Sequence, residues 1–302
     1  MIENPATSDV FELNPTVRQH GTMCEAVIAG ARTRWWVYGS PQGRPLVLVH
    51  GFRGDHHGLE LIAQDLEDFK VIIPDLPGFG KSEPVPGAEH TVSTYAAWLA
   101  NFLAEVVEQP VHLIGHSFGS IVTSYLAAAQ PHLISKLTLI NPICEPALEG
   151  DQKLMSKLAE IYYRAGALLP EPLGFGLLKS KAITRITSEF MIKSGDRQLK
   201  NFINGQHAAY FGAFVSREAV LEAYRASISS TAADFAPQVP RPVQMIVAKC
   251  DDLGTFEKQR SMFATLTQGR FDLIPEVGHL VHYETPKRAA ALITDFNAQE
   301  AA

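Results

Sequence analysis

Ser117, in the stretch LIGHSFGS (113–120), stands between Gly115 and Gly119 at the end of an apolar run. A serine at the apex of a tight strand-to-helix turn holds its hydroxyl clear of the backbone. Glycines on either side let strand and helix approach without Cβ clashes. The chemistry on offer is nucleophilic attack, with the N-terminal N–H groups of the following helix near any anion that develops. The competing role for such a serine is simply to cap that helix. A G-x-S-x-G pattern arises by chance in roughly one chain in ten of this length, so the decision falls on its partners.

A serine hydroxyl needs a base to take its proton. The chain has 11 histidines, and His279 is singled out by its place: it follows the apolar run FDLIPEV, Gly278 precedes it, and its segment ends in Glu284 and Pro286. The histidine in turn needs a carboxylate to set its tautomer and stabilise the imidazolium. Asp251, at the end of the run in VAKCDDLGT, is the candidate, with Asp252 beside it as the alternative. The order along the chain is then nucleophile, acid, histidine.

Positioning these groups requires a scaffold, and the sequence carries one. Six short apolar runs recur: PLVLVHG (45–51), KVIIPDLPG (70–78), PVHLIGHS (110–117), KLTLINP (136–142), VQMIVAKCDD (243–252) and FDLIPEVGH (271–279). Each has the length of a buried strand and a near-continuous apolar character that suits burial on both faces. Between them lie helical patterns. Val92, Tyr95, Ala96, Leu99, Phe102, Leu103 and Val106 repeat at three- and four-residue spacing, SIVTSYLAAAQ follows Ser117, and PKRAAALITDF begins with proline at a first helical position. The alternation predicts an α/β fold with a mostly parallel central sheet flanked by helices. TMCEAVIAGARTRWWVYGS reads as a hairpin turning at alanine and glycine. From 145 to 238 the rhythm breaks into helical stretches punctuated by LLPEPLGFG, which predicts a helical insertion. The expected organisation is residues 1–144 as the first part of the core, 145–238 as the insertion and 239–302 as the second part of the core.

The remaining composition excludes more than it specifies. Of 302 residues 46% are hydrophobic and 19% charged, and the net charge is −6. There is no electrostatic case for nucleic acid or an anionic membrane as partner, and a small-molecule substrate is expected. Cys24, Cys144 and Cys250 are scattered and odd in number, which argues against a disulfide framework or structural zinc. The N-terminal MIENPATSDVFELNP has neither a basic region nor an apolar run, so no signal peptide is expected and a cytoplasmic location is.

These residues together make the sequence similar to the α/β-hydrolase superfamily along nearly the whole chain. VHGF (49–52) resembles its oxyanion loop, DLPGFGKS (75–82) the loop after the next strand, GHSFG (115–119) the nucleophile elbow, VAKCDDLGT (247–255) the acid loop and GHLVHYETP (278–286) the histidine loop. Ala248 stands where the acid loop usually has glycine. The resemblance implies that Phe52 and Phe118 supply the two oxyanion-hole N–H groups and that 145–238 is a helical cap. It also implies no cofactor and no metal.

Other residues are read more plainly. His50 and His116 are expected to shape loops and pocket walls, His282 to be structural, and Asp75 to hold a turn. The pair His56–His57 lacks further metal ligands at sensible spacing. Cys250 is expected to be buried in its strand. Arg53 is expected to face solvent, the alternative being a hold on an anionic substrate. Of the aromatic residues of the insertion, a few are expected to line a pocket and most to form its own core.

The expected function is a serine hydrolase cleaving a small to medium, mainly apolar carboxylic ester through an acyl-serine. Serine at 117 argues against relatives that need a carboxylate nucleophile. A carbon–carbon bond hydrolase with the same triad and a non-catalytic ligand receptor are the alternatives.

Overall fold

A computed structural model describes residues 16–107, 109–146 and 153–299, with 153–156 described by backbone only. The reading of the first 15 residues therefore lies outside the described residues. Among the described residues eight strands form a single sheet: β1 (Thr22–Ile28), β2 (Ala31–Gly39), β3 (Pro45–Val49), β4 (Lys70–Pro74), β5 (Val111–His116), β6 (Ile134–Ile140), β7 (Val243–Ala248) and β8 (Gly269–Ile274). Their spatial order is β1-β2-β4-β3-β5-β6-β7-β8. All pairs from β4 to β8 are parallel, while β1 and β2 are antiparallel to their neighbours. Each of the six apolar runs supplies one parallel strand. The expected hairpin is β1–β2, and Ala29 and Gly30 both take positive φ at its two-residue turn (49° and 80°), the twist that suits a tight hairpin.

Among the described residues the α-helices are α1 (Glu60–Ala63), α2 (Val92–Phe102), α3 (Phe118–Ala129), α4 (Lys153–Leu168), α5 (Glu171–Leu178), α6 (Lys181–Met191), α7 (Arg197–Tyr210), α8 (Arg217–Ser229), α9 (Phe256–Phe263), α10 (Val281–Glu284) and α11 (Pro286–Ala298). Alternate residues along the central strands enter two cores. Val47, Val49, Leu113, Leu137, Leu139, Met245 and Val247 pack with α2 and α3 on one face. Leu46, Leu48, Ile114, Ile140, Ile246 and Ala248 pack with α1 and α11 on the other. Covering both faces is what made those strands read as unbroken apolar runs. No helix among the described residues is long and apolar enough to cross a membrane.

Between β6 and β7 the described chain contains helices α4 to α8 and no strand. The stretch LLPEPLGFG, read as punctuation, instead contains most of α5. Pro170 caps that helix and Pro172 falls in its first turn, where a missing N–H costs nothing. At Gly174 a Cβ would lie 2.2 Å from the Gly166 carbonyl oxygen, so this glycine permits α5 to cross α4 closely. The helical segment is fastened to the carboxyl edge of the sheet. The Gly80 N–H donates to Ala213 O (2.6 Å) and Val215 N–H to Gly78 O (3.1 Å), and His90 Nδ1 meets Glu222 at 2.7 Å.

Candidate active site

Four neighbouring strands, β5 to β8, deliver their following loops to one edge of the sheet. Ser117 follows β5 directly, with φ 55° and ψ −121°. That strained conformation persists because its surroundings leave no room to relax. A Cβ on Gly115 would lie 2.3 Å from Thr123 Oγ1, and one on Gly119 2.3 Å from Val49 O. Both glycines are thus required for α3 to start against β5 and β3. The Ser117 side chain makes no capping hydrogen bond to α3, so the plain reading of a capping serine does not describe it.

Its hydroxyl faces His279 instead. His279 Nε2 lies 2.9 Å from Ser117 Oγ, and His279 Nδ1 lies 3.0 and 3.1 Å from the two oxygens of Asp251. Asp251 is held in turn: its Oδ1 accepts from Leu253 N–H at 2.8 Å, and Gln259 Nε2 approaches Oδ2 at 3.5 Å. Asp252 points elsewhere and pairs with Lys193. The structure therefore brings Ser117, His279 and Asp251 together and leaves Asp252 out. Asp251 and His279 are both buried, so little water competes for the hydrogen bonds between them.

The loop after β3 runs beside this serine. A Cβ on Gly51 would be 3.1 Å from Ser117 Cβ and 3.5 Å from its Oγ. Phe52 follows Gly51 in this loop and Phe118 is the first residue of α3, directly after Ser117. His50 fixes the loop: its Nδ1 donates to Gly51 O and its Nε2 accepts from Leu76 N–H, each at 2.9 Å. Burial holds the His50 pKa below the usual imidazole value, which keeps the neutral tautomer that both bonds need. His116 is pushed down to about 3 by burial and contacts the His279 carbonyl through Nε2 at 3.2 Å. His282 packs against His116 with ring centroids 4.3 Å apart. Neither His116 nor His282 reaches the serine hydroxyl by a hydrogen bond; that partner is His279.

Asp75 holds its turn as expected. It accepts from the N–H and Nδ1 of His56 (2.9 Å each) and from Lys81 N–H (2.8 Å). The neighbouring pair His56–His57 does have a third possible metal donor, Asp55, with ligand atoms within 4.8 Å; the sequence reading had not counted it. Both Nδ1 atoms are already held by carboxylates, His56 by Asp75 and His57 by Asp55 (3.0 Å). The rings stack in a ladder, Trp36 on His56 and His57 on Tyr210, at 3.3 and 3.6 Å. With both Nδ1 atoms held by carboxylates and both rings stacked, the cluster braces β2 against α7.

Two expectations are corrected. Cys250 is exposed, because β7 ends at Ala248 and the cysteine lies in the loop that delivers Asp251. Arg53 is 4% exposed and faces the helical segment, not solvent: its Nε donates to Phe211 O and its Nη2 to Leu178 O.

Sequence reasoning passed over Asn141, which is fully buried with φ 44° at the end of β6. Its Nδ2 donates to the carbonyls of Gly278 and His279 (3.0 and 3.1 Å), and its Oδ1 accepts from Ala248 N–H (2.8 Å). One side chain thereby ties the acid-bearing strand to the histidine loop. The sequence signal was an asparagine before proline at a strand end, a residue that tolerates left-handed backbone. Glu284 acts similarly from the other side, accepting from Lys193, Ser194 and Gly278 N–H groups. Burial raises its pKa while those N–H groups oppose the shift.

A model of the alpha/beta hydrolase family matches residues 46–292. Lipase 1 of Psychrobacter immobilis is 34% identical over 104 residues, 34% of this chain and 33% of that protein. Pimeloyl-[acyl-carrier protein] methyl ester esterase of Aeromonas salmonicida is 38% identical over 105 residues, 34% of this chain and 40% of that protein. The chain thus aligns with only a third to two-fifths of the length of these relatives. The solved enol-lactonase of Burkholderia xenovorans LB400 superposes with a TM-score of 0.76 at 16% identity, covering 91% of this chain and 100% of that one. At that identity the likeness concerns the fold.

Proposed function

From the premise that the chain belongs to the alpha/beta hydrolase family and is a hydrolase, we propose that it cleaves a small to medium, mainly apolar carboxylic ester through an acyl-serine. The observation that carries this reading is the continuous hydrogen-bonded line from Ser117 Oγ through His279 to Asp251. His279 Nε2 takes the hydroxyl proton as Ser117 Oγ attacks the carbonyl carbon. Asp251 stabilises the imidazolium through Nδ1. The backbone N–H groups of Phe52 and Phe118 hold the tetrahedral oxyanion, and the start of α3 adds its positive dipole end. His279 then gives the proton to the leaving alkoxide, and water activated by the same nitrogen releases the acid.

The helical segment serves as a cap, with 145–238 as its span. An aromatic cluster over the oxyanion loop supports the apolar character of the substrate: the Phe52 ring meets Phe79, Tyr163 and Tyr224 at centroid distances of 6.2, 5.8 and 6.2 Å. Aromatic faces of this kind favour an acyl chain over a polar one.

The test is stopped-flow turnover of 4-nitrophenyl esters of increasing acyl length, with Ser117→Ala as control. A nitrophenol burst that vanishes in the variant, with a chain-length optimum, is the expected result. Equal inertness of both proteins on every ester, with cleavage of a vinylogous diketone by the wild type alone, would replace this reading by carbon–carbon hydrolysis.

A further inference from the structure

Arg53 occupies an unusual position for a cation. It is buried, and among the described residues no carboxylate pairs with it. Four hydrogen bonds engage its guanidinium: Nε to Phe211 O (3.1 Å), Nη2 to Leu178 O (2.8 Å), and Nη1 to the hydroxyls of Tyr162 (3.3 Å) and Tyr163 (3.4 Å). Leu178 is the last residue of α5 and Phe211 caps the end of α7. Helix carboxyl ends carry partial negative charge on their unpaired carbonyls, so two helix termini converge on the guanidinium in place of an acid. The faces of Phe211 and Phe214, at 4.9 and 5.3 Å, add cation–π attraction. With its donors so engaged, the side chain is not poised to hold a substrate anion.

The backbone of the same residue supplies the second half of the argument. Arg53 sits at φ 61°, a conformation that costs energy for any residue but glycine. It directly follows Phe52, whose N–H is one of the two proposed oxyanion donors. The Phe52 ring rests on Tyr163, which Arg53 holds by its hydroxyl and which stacks on Tyr224 at 3.9 Å. Both the backbone and the ring of the oxyanion loop are therefore referenced to helices α4, α5, α7 and α8, while His50 references the same loop to the core.

We infer that Arg53 is a positioning residue that aligns the Phe52 N–H with the developing oxyanion only when the helical segment is seated over the site, so that cap closure and oxyanion-hole assembly are one event. This rests on the ester-hydrolase reading above. Lifting the helices removes all four acceptors from Arg53 together, and the strained residue after Phe52 is then held from the core side alone, through His50. A substrate that lets the helices seat is turned over. One that props them open binds without reacting, which is selectivity by induced fit.

The experiment compares wild type, Arg53→Met and Arg53→Lys on 4-nitrophenyl butyrate and on an alkyl trifluoromethyl ketone. The ketone accepts Ser117 Oγ at its carbonyl carbon, the hydroxyl proton passes to His279, and the carbonyl electron pair becomes an oxyanion. It therefore reads the oxyanion hole directly. The expected result for Arg53→Met is a fall in kcat and in ketone affinity by the same factor, about tenfold to a hundredfold, as for a donor displaced by a fraction of an ångström to 1 Å. KM changes by less than about threefold, and Arg53→Lys recovers part of both losses because an ammonium can meet some of the four acceptors. A merely structural role lowers the burst amplitude, which counts active sites, and leaves ketone affinity per active site unchanged. Should Arg53→Met fail to fold, the double variant Tyr162→Phe/Tyr163→Phe removes two acceptors while keeping both rings. It must lower kcat and ketone affinity together. A folded variant with wild-type kcat and ketone affinity, or with a change in KM alone, overturns the inference. A wild type that neither turns over esters nor binds the ketone overturns the ester reading instead, and this inference falls with it.

Discussion

Replacing Gly119 by alanine tests the packing on which the whole site rests. Gly119 is the second residue of α3, and a Cβ there would stand 2.3 Å from Val49 O and 2.8 Å from His50 O. Both neighbours are backbone atoms of β3 and the loop leaving it, so neither can swing aside as a side-chain tip would. A carbon needs about 3.3 Å from a carbonyl oxygen, and the start of α3 must therefore retreat by about 1 Å. Overpacking of this kind costs about 1–3 kcal/mol of stability. The functional cost is comparable, because the retreat also moves the Phe118 N–H, one of the two proposed oxyanion donors, away from its place beside Ser117. A misplacement of about 1 Å at a reacting centre costs about a hundredfold in rate. The assay is kcat/KM on 4-nitrophenyl butyrate alongside urea unfolding. Gly205→Ala serves as the opposite control: at Gly205, inside α7, an added Cβ meets nothing within 4 Å, so that variant should gain about 0.5–1 kcal/mol from helix propensity with unchanged turnover. Wild-type activity and stability in Gly119→Ala would refute the close approach of α3 and β3.

Asp251→Asn should lower kcat by about 10⁴ by favouring the wrong histidine tautomer, whereas Asp252→Asn, which loses only its partly exposed partner Lys193, should stay within a few-fold; steady-state kinetics of the two variants decide between the acids. Asn141→Ala leaves the Gly278 carbonyl and the Ala248 N–H without this partner in a buried place and the His279 carbonyl with His116 in its stead, and it puts alanine at φ 44°. It should cost about 3 kcal/mol or more in urea unfolding and lower kcat, because the histidine and acid loops lose their shared tie. Burial pushes the His112 pKa down to about 3, so in the fold it stays neutral where the unfolded chain takes up a proton near pH 6.5. The stability this residue contributes is full above about pH 6.5 and is lost as pH falls toward 3. Between pH 7 and 5 the wild type should therefore lose about 2 kcal/mol more than His112→Gln; identical pH slopes in urea titrations would refute it.

Much of this architecture was legible before any coordinates, for physical reasons. A strand buried on both faces must be apolar throughout, so β3 to β8 announced themselves by composition and length. The elbow around Ser117 needs glycine wherever backbone or side chain comes within bond-like distance, and Gly115 and Gly119 declared it. Pro286 at the start of α11 and the Ala29–Gly30 turn of the hairpin were equally local, since φ and the missing N–H belong to one residue. Where local signals misled, tertiary packing had overridden them: Pro172 and Gly174 read as a break, yet one sits in the first turn of α5 and the other is the contact point of a helix crossing.

What the sequence could not determine was which of several equivalent groups meet. Asp251 and Asp252 are identical in chemistry and adjacent in the chain, and the end of β7 at Ala248 together with the Leu253 N–H turns one toward His279 and the other toward Lys193. Arg53 in a loop reads as solvent-facing, because nothing in its neighbours reveals that the carboxyl ends of α5 and α7, more than 120 residues further on, will close over it. Asn141 gave only the hint of a strand end, yet it joins β6, β7 and the histidine loop. Periodicity and turn chemistry are written residue by residue and can be read that way. The convergence of distant side chains is a property of the packed sheet edge, and only the tertiary structure decides it.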